Sequence, residues 1–519
     1  MVNLRASSRP SRDSLLLAAY IIAIAVVASS SLADTDPYWQ VRAGQEALVG
    51  ATGPVPDTWS WAPVDGLFYS NSPAWNAVLG AGWAVAGSWG LFLVSVGSIA
   101  ASLGVVAWVA RRLGATTLPT LGVIVLLSLA ALPLLSPRAA LPAQALVLAA
   151  IGWADWWTRR LPQHRGRASA AVPLLVGVAF SVTGNWIHLS WSTFALAVAA
   201  AWAVMWLVTP GLSRVFRFAL VVSGSIGLVV GILLGPYGTD VYGHTADVVE
   251  ACRGLITEWI NPFAGAFGAR WWPLAVAVLC FMAGVAAWCV RRWTRSRGTD
   301  PTLTLSIALL VVSVPYTLGA LVYVRFVLLS AFLLSPLAAA AATALLRRIS
   351  RRAADVPAGA GLLRSRAAEW ASPGFWRVVM TATILVLAPF VVMAGSRHAE
   401  PPTATVNAML PSGCQQFGTP AESASLILMR PDVPVWIDGR FDYWGRSRIE
   451  AAYRYLYQGN QETLVPPGTT CVLLADPATD GELVPLVKAL DADPGWTRVA
   501  GTQGALLWLP AEVQTSTAP

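Results

Sequence analysis

The sequence predicts an α-helical polytopic membrane protein with a small α/β domain at its C-terminal end. Three observations carry this. The 519 residues are 56% hydrophobic and only 12% charged, far less charge than a soluble chain of this length carries. The apolar residues gather into runs near the twenty-residue length that crosses a bilayer as helix. Beyond about Ala399 the composition changes: acids outnumber bases, and the apolar runs shorten to strand length.

The first run, Leu15 to Ala33, follows Arg5, Arg9 and Arg12. At about 1.5 Å per residue it spans a bilayer. Its end, Ser31-Leu32-Ala33, has the small residues of a signal-peptidase site, but the run is longer than a signal core and many more follow. It reads as a retained helix with a cytoplasmic N-terminus. Further spans fall near 75–110, 117–135, 141–157, 171–185, 190–209, 216–235, 271–290, 302–322, 326–346 and 376–395, about eleven in all. The 75–110 run is long enough for a surface helix plus a span.

Charge sets the orientation. Arg111-Arg112, Arg159-Arg160, Arg214 with Arg217, Arg291-Arg292 and Arg347-Arg348 fall in alternate loops, so the arginine clusters share one side, the cytoplasmic one. That pattern, rather than nucleic-acid binding, accounts for the net charge of +8. An odd number of spans then puts the chain after Gly395 outside a cell membrane. Residues 1–395 form the membrane domain, with a first outside loop at 34–74. Residues 347–375 form a basic cytoplasmic linker, lying on anionic lipid or simply a flexible loop. Residues 396–519 form an extracytoplasmic α/β domain with strands expected at 435–438, 471–475 and 505–509 and helices near 421–430, 447–458 and 482–490. Cys414 and Cys471 both fall in this domain, where a disulfide is chemically permitted; two buried thiols fit the spacing equally.

The outside loops hold the candidate chemistry. The first carries Asp34 and Asp36 as it leaves the membrane, then Trp39, Gln40 and Arg42, and Asp57 beyond a Gly/Pro-rich turn. Carboxylates at this depth are costly unless they meet a cation, a metal or a reacting group. Arg138 and Arg325 stand singly against the charge bias; each suits a phosphate oxygen pair or a nearby carboxylate. Asn185 and His188, in GNWIHLSW, are either ligand contacts or structural hydrogen-bonders. Glu258 adjoins Trp259, an aromatic suited to a sugar face. In VWIDGRFDYWG, Asp438 and Arg440 sit where a strand ends, a favoured ligand edge, or simply pair to hold a turn.

In order along the chain, LADTDPYWQVRAG, GPVPDTWSW, SNSPAWNAVL, SPRAALPAQ, GNWIHLSW, GPYG…TEWINP and IDGRFDYWG resemble the GT-C class of membrane glycosyltransferases. Within it, the likeness is to a bacterial polytopic group related to protein O-mannosyltransferases and arabinofuranosyltransferases. The class usually has Trp-His after its acids; here the pair is Trp39-Gln40. The resemblance implies a sugar donor on polyprenyl phosphate, a glycan, glycolipid or protein acceptor outside the cytoplasm, and single displacement with inversion. One of Asp34 and Asp36 would act as base, while the other orients it or holds a divalent cation such as Mg or Mn. Arg138 or Arg325 would clamp the phosphate. Two other functions fit the same chain: a flippase for a lipid-linked intermediate, or a non-catalytic assembly protein with the same fold. A transporter places ionisable groups mid-span more often than this sequence does.

Overall fold

The computed structural model describes residues 12–30, 35–50, 53–130, 135–161, 168–265, 270–296, 300–354, 404–458, 463–478, 480–502 and 504–511, and a few positions between 374 and 382. Among the described residues, twelve α-helices of the membrane domain come first. They are α1 (Arg12–Ser30), α2 (Asp36–Leu48), α3 (Pro73–Arg112), α4 (Thr117–Ala130), α5 (Ala140–Thr158) and α6 (Ala168–Ile187). Then come α7 (Trp191–Val208), α8 (Arg214–Leu233), α9 (Asp240–Cys252), α10 (Trp272–Ser296), α11 (Pro301–Gly319) and α12 (Val324–Ala354).

Ten of the expected apolar runs are helical. Among the described residues, eight helices (α1, α3, α6, α7, α8, α10, α11 and α12) are long and apolar enough to cross a membrane. The expected count of about eleven is therefore not reached on these criteria. The 14 residues of α4 reach only about 21 Å of a hydrocarbon core about 30 Å thick. α5 has the length but carries Asp155 near its end. Most of 376–395 lies outside the described residues, as does most of the 347–375 linker beyond Ala354.

The long third run divides as its length suggested. At Ala86 and Gly87 the backbone leaves helical geometry, and Gly87 takes φ +56° with ψ −136°, a conformation that only glycine reaches cheaply. The chain folds back there, so closely that a Cβ on Gly90 would sit 1.7 Å from the Gly82 carbonyl oxygen. The first arm of α3 receives α2: a Cβ on Gly44 would lie 1.8 Å from the Asn76 carbonyl oxygen, and one on Gly80 would lie 2.7 Å from the Gln45 nitrogen. Backbone-to-backbone contact of this kind fixes the helix that begins at Asp36. The same small-residue device joins α6 to α8, where Gly227 meets Leu174 and Gly231 meets Val178 and Ser181.

Among the described residues the tail domain is a four-stranded sheet with three covering α-helices longer than a single turn and a one-turn helix at Ala404–Asn407. Its strands are β1 (Gln416–Gly418), β2 (Cys471–Ala475), β3 (Trp496–Thr502) and β4 (Ala505–Pro510), in the order β1-β2-β4-β3. β1 runs parallel to β2, and the other pairs are antiparallel. The helices are α13 (Pro420–Met429), α14 (Phe441–Tyr453) and α15 (Val484–Ala492). Two expected elements need correction. Residues 435–438 are not a strand of this sheet: Val435 makes isolated bridges to Ser60 of the first loop and to Gln416, and the chain then turns at Asp438. Helix α14 begins six residues before the expected 447, because a kink at Gly445 (φ 69°) lets the polar FDYW stretch join it. Cys414 and Cys471 are joined by a disulfide across 57 residues of chain; a loop of that length contributes roughly 4 kcal/mol by restricting the unfolded chain.

The first loop and the tail interlock. The Val435 N–H donates to the Trp59 carbonyl (2.9 Å), the Trp61 N–H donates to the Val435 carbonyl (3.2 Å), and the Trp61 indole donates to the Gln416 carbonyl (2.9 Å).

Candidate active site

Five separated stretches meet at the end of the bundle that carries the tail. Trp75, in the first turn of α3, donates its indole N–H to the Pro137 carbonyl at 2.8 Å and so holds the loop bearing Arg138. The Leu189 N–H donates to the Asn71 carbonyl at 2.9 Å, tying the His188 turn to the first loop. The Val324 N–H donates to the Ile260 carbonyl at 3.0 Å, setting the Glu258-Trp259 turn against the start of α12 and Arg325.

These anchors align a chain of alternating charge. Arg138 Nη2 lies 2.9 Å from Asp36 Oδ2, and Arg138 Nη1 lies 2.7 Å from Glu258 Oε1. Arg325 Nη1 reaches the other Glu258 oxygen at 3.4 Å, and its guanidinium stands 5.4 Å from the Trp259 ring centre. Asp36 opens helix α2, where backbone N–H groups favour a carboxylate, and accepts a bond from the Trp39 indole at 3.3 Å. The paired groups remain partly exposed. The structure thus brings Asp36, Trp39, Arg138, Glu258, Trp259 and Arg325 together. Asp34 lies outside the described residues.

Arg325 and Trp259 also line a cavity of about 420 Å³, which His188 and Asn71 border as well. Its walls are mostly aromatic and aliphatic. The His188 ring nitrogen Nδ1 is held by the Ser190 N–H (3.1 Å) and lies 2.7 Å from its hydroxyl. Burial, with the charge of Arg325 adding to it, pulls the His188 pKa down to about 3, so the ring is neutral near pH 7.

The other expected contacts lie elsewhere, and the expectation of ligand contact gives way to structural roles. Arg440 is 1% exposed. It lies between Asp57 (2.9 Å) and Asp438 (2.7 Å), whose side chains are both fully buried, with the Trp59 ring 4.1 Å away. Burial disfavours its charge, but the two carboxylates more than offset this, and its pKa is raised. This is a joint between loop and tail, closed to a ligand. Arg42 pairs with Glu46 at 2.9 Å, and Glu46 also accepts from the Trp59 indole. Gln40 is buried within α2. Asn185 is buried and donates to the Ser181 carbonyl in its own helix.

The joint does deliver the tail to the site. Gly439, between Asp438 and Arg440, lies so near α2 that a Cβ there would come within 2.7 Å of Asp36 Oδ1 and 3.0 Å of the Trp39 indole nitrogen. Three residues further on, Asp442 accepts from Asn71 Nδ2 at 2.5 Å, and His244 Nε2 lies 3.1 Å from Asn71 Oδ1. Burial raises the Asp442 pKa to about 7, against the opposing pull of a backbone hydrogen bond and Arg440; Asp438 and Asp36 add to the rise. Sequence reasoning missed Asn71, Gln144 and Tyr316 around the cavity. Gln144 is the polar residue of SPRAALPAQ, four positions from the start of α5, and a polar group inside an apolar run was the available signal.

As for a divalent cation, no three His, Cys, Asp or Glu side chains are grouped as metal ligands among the described residues. Asp36 is already neutralised by Arg138. These residues alone do not fit a metal site.

No family model matches the sequence, and no curated protein matches it. Solved structures do. The archaeal oligosaccharyltransferase of Archaeoglobus fulgidus, in its apo form, aligns with a TM-score of 0.53 at 10% identity, over 93% of this chain and 73% of that one. The same enzyme tethered to an acceptor peptide aligns with 0.53 at 12% identity, over 97% and 75%. ArnT from Cupriavidus metallidurans, bound to undecaprenyl phosphate, gives 0.48 at 13% identity, over 95% and 97%. The fold is GT-C-like, a multi-span helical membrane domain followed by a small sheet domain, as the sequence led us to expect.

Proposed function

We propose that this GT-C-like chain is a membrane glycosyltransferase that moves a sugar from polyprenyl phosphate to an acceptor outside the cytoplasm. The acceptor would be a cell-envelope glycan, a glycolipid or a protein. One observation carries the reading: the Asp36–Arg138–Glu258–Arg325 chain ends, at Arg325, in the wall of an aromatic-lined cavity at the end of a membrane bundle. A lipid carrier brings its phosphate to the bilayer surface, and guanidinium groups are the side chains that grip it there.

The chemistry is one displacement with inversion. The acceptor hydroxyl oxygen forms a bond to the anomeric carbon as the bond from that carbon to the phosphate oxygen breaks. The hydroxyl proton passes to the Asp36 carboxylate. The leaving polyprenyl phosphate gains charge, and Arg325 and Arg138 stabilise it. Glu258 holds both arginines in place before the phosphate arrives. Arg138 already supplies a positive charge beside Asp36, and no step here passes through a metal. The Arg clusters in alternate loops support a cytoplasmic N-terminus, and the Cys414–Cys471 disulfide supports an oxidising, extracytoplasmic location for the tail.

The test uses the purified full chain in lipid nanodiscs with radiolabelled polyprenyl-phosphate sugars and a membrane-glycan acceptor fraction. Wild type should transfer label, and Asp36→Asn should lose about 10²–10⁴-fold in rate, the usual contribution of a positioned base. Undiminished transfer by Asp36→Asn refutes the assignment. Translocation of labelled lipid in liposomes without transfer would make the protein a flippase.

A further inference from the structure

The cavity contains a feature that the charged chain does not use. Gln144, on α5, is completely buried, yet neither its amide oxygen nor its amide nitrogen has a hydrogen-bond partner. Tyr316, on α11, is 3% exposed, and its hydroxyl is equally unpartnered. The two side chains face each other in near hydrogen-bonding contact, but no pair of their atoms meets hydrogen-bond distance and angle, and both line the 420 Å³ cavity. Buried polar atoms in native proteins are nearly always paired, and one left unpaired destabilises the fold. Where such atoms line a cavity, a water or a ligand is what completes their bonding.

The lining narrows what that ligand is. The volume falls in the ~300–1,000 Å³ range of small-molecule sites. Phe194, Trp259, Tyr316, Tyr323 and Phe326 provide aromatic surface, while Gln144 provides both a donor and an acceptor. No Asp, Glu or Lys is among the lining residues, and the one Arg, Arg325, is engaged by Glu258. The geometry points to a subsite in which Gln144 and Tyr316 hydrogen-bond the hydroxyls of a neutral monosaccharide carried on the donor. Aromatic walls suit the apolar face of a sugar ring, and an amide beside a phenol suits its hydroxyl edge. An amino sugar would bring an ammonium group to a cavity with no lining carboxylate. A uronic acid would have to displace Glu258 from Arg325. Recognition of the sugar by Gln144 and Tyr316 is thus separable from the grip of Arg138 and Arg325 on the phosphate, although it rests on the proposed donor class.

The test uses Gln144→Met and Tyr316→Phe, which preserve shape and remove the unpaired polar atoms. Binding by the full chain in nanodiscs is measured for bare undecaprenyl phosphate and for its glucose, galactose, mannose, arabinofuranose, aminodeoxy-sugar and glucuronate conjugates. The wild type should bind at least one neutral conjugate about tenfold more tightly than the bare lipid. Each variant should lose most of that increment, bind the bare lipid unchanged and melt no lower than wild type without ligand, since nothing was satisfied there. A several-degree drop in melting temperature with the increment intact would make the pair structural and overturn the proposal. So would a wild type that prefers a charged conjugate, or that binds no neutral conjugate better than the bare lipid. Failure of the bare lipid to bind at all would instead strike the phosphate reading beneath it.

Discussion

The joint at Arg440 yields the sharpest energetic prediction. Arg440→Met keeps the methylene stem and removes the guanidinium. Asp57 and Asp438 would then face each other, with fully buried side chains and no counter-charge. Removing one partner of a buried ion pair costs about 3–5 kcal/mol, most of it from the stranded charge. Loss of the cation–π contact with Trp59, whose ring centre is 4.1 Å from the guanidinium, adds about 0.5–2 kcal/mol. The tail and first loop should therefore come apart at lower temperature. Trp59 and Trp444 both border the guanidinium, so tryptophan fluorescence in a thermal melt reports the event, and limited proteolysis between 411 and 511 gives an independent reading. The triple variant Asp57→Asn, Asp438→Asn, Arg440→Met removes the stranded charges and should recover a substantial part of the loss. A single variant within 1 kcal/mol of wild type, or a triple variant no better than the single, would refute the argument that charge burial dominates this joint.

Two further predictions test what the joint delivers. Gly439 has no left-handed backbone requirement, so Gly439→Ala is conformationally permitted, but its new Cβ must push on Asp36 and Trp39. Transfer should fall about 10²-fold, as for a misplacement of about 1 Å, with little change in melting temperature; full activity would show that the tail does not support Asp36. Asp442 has a pKa raised from 3.8 to about 7, chiefly by burial. The folded state therefore keeps a proton that the unfolded chain loses, and this contribution is complete below about pH 4 and fades as pH rises through about 7. Asp442→Asn should flatten that part of the stability–pH curve, and a curve parallel to wild type from pH 4 to 8 would contradict the burial argument.

Much of this molecule was legible because hydrophobic length and arginine placement are direct consequences of the bilayer. Spans came from composition alone; Arg138 and Arg325 stood out because each departed from the charge bias around it, and Glu258 because it adjoins Trp259. What sequence could not reveal was pairing. Arg138 and Arg325 each fit phosphate or carboxylate, and only three-dimensional proximity shows Glu258 between them. Asp57 and Arg440 are nearly 400 residues apart, so the choice between ligand contact and joint could not be made from spacing. The 435–438 segment misled because apolar residues of strand length do not reveal whether a neighbouring strand lies along them; here the first loop takes one side of Val435 for a single bridge. Gln144 is visible in sequence as an amide in an apolar helix, but only the fold shows that it faces a cavity.

The contact at Val435 has a practical consequence. The backbone there is completed from one side by Trp59 and Trp61, which belong to the membrane domain, and the buried guanidinium of Arg440, five residues on, takes half of its countercharge from Asp57. A soluble fragment cut at residue 396 would expose a raw backbone edge and lack half of an internal ion cluster. Such fragments invite edge-to-edge association, so expressing the tail alone should give aggregates, whereas co-expression with the preceding domain as a split pair should restore a soluble partner.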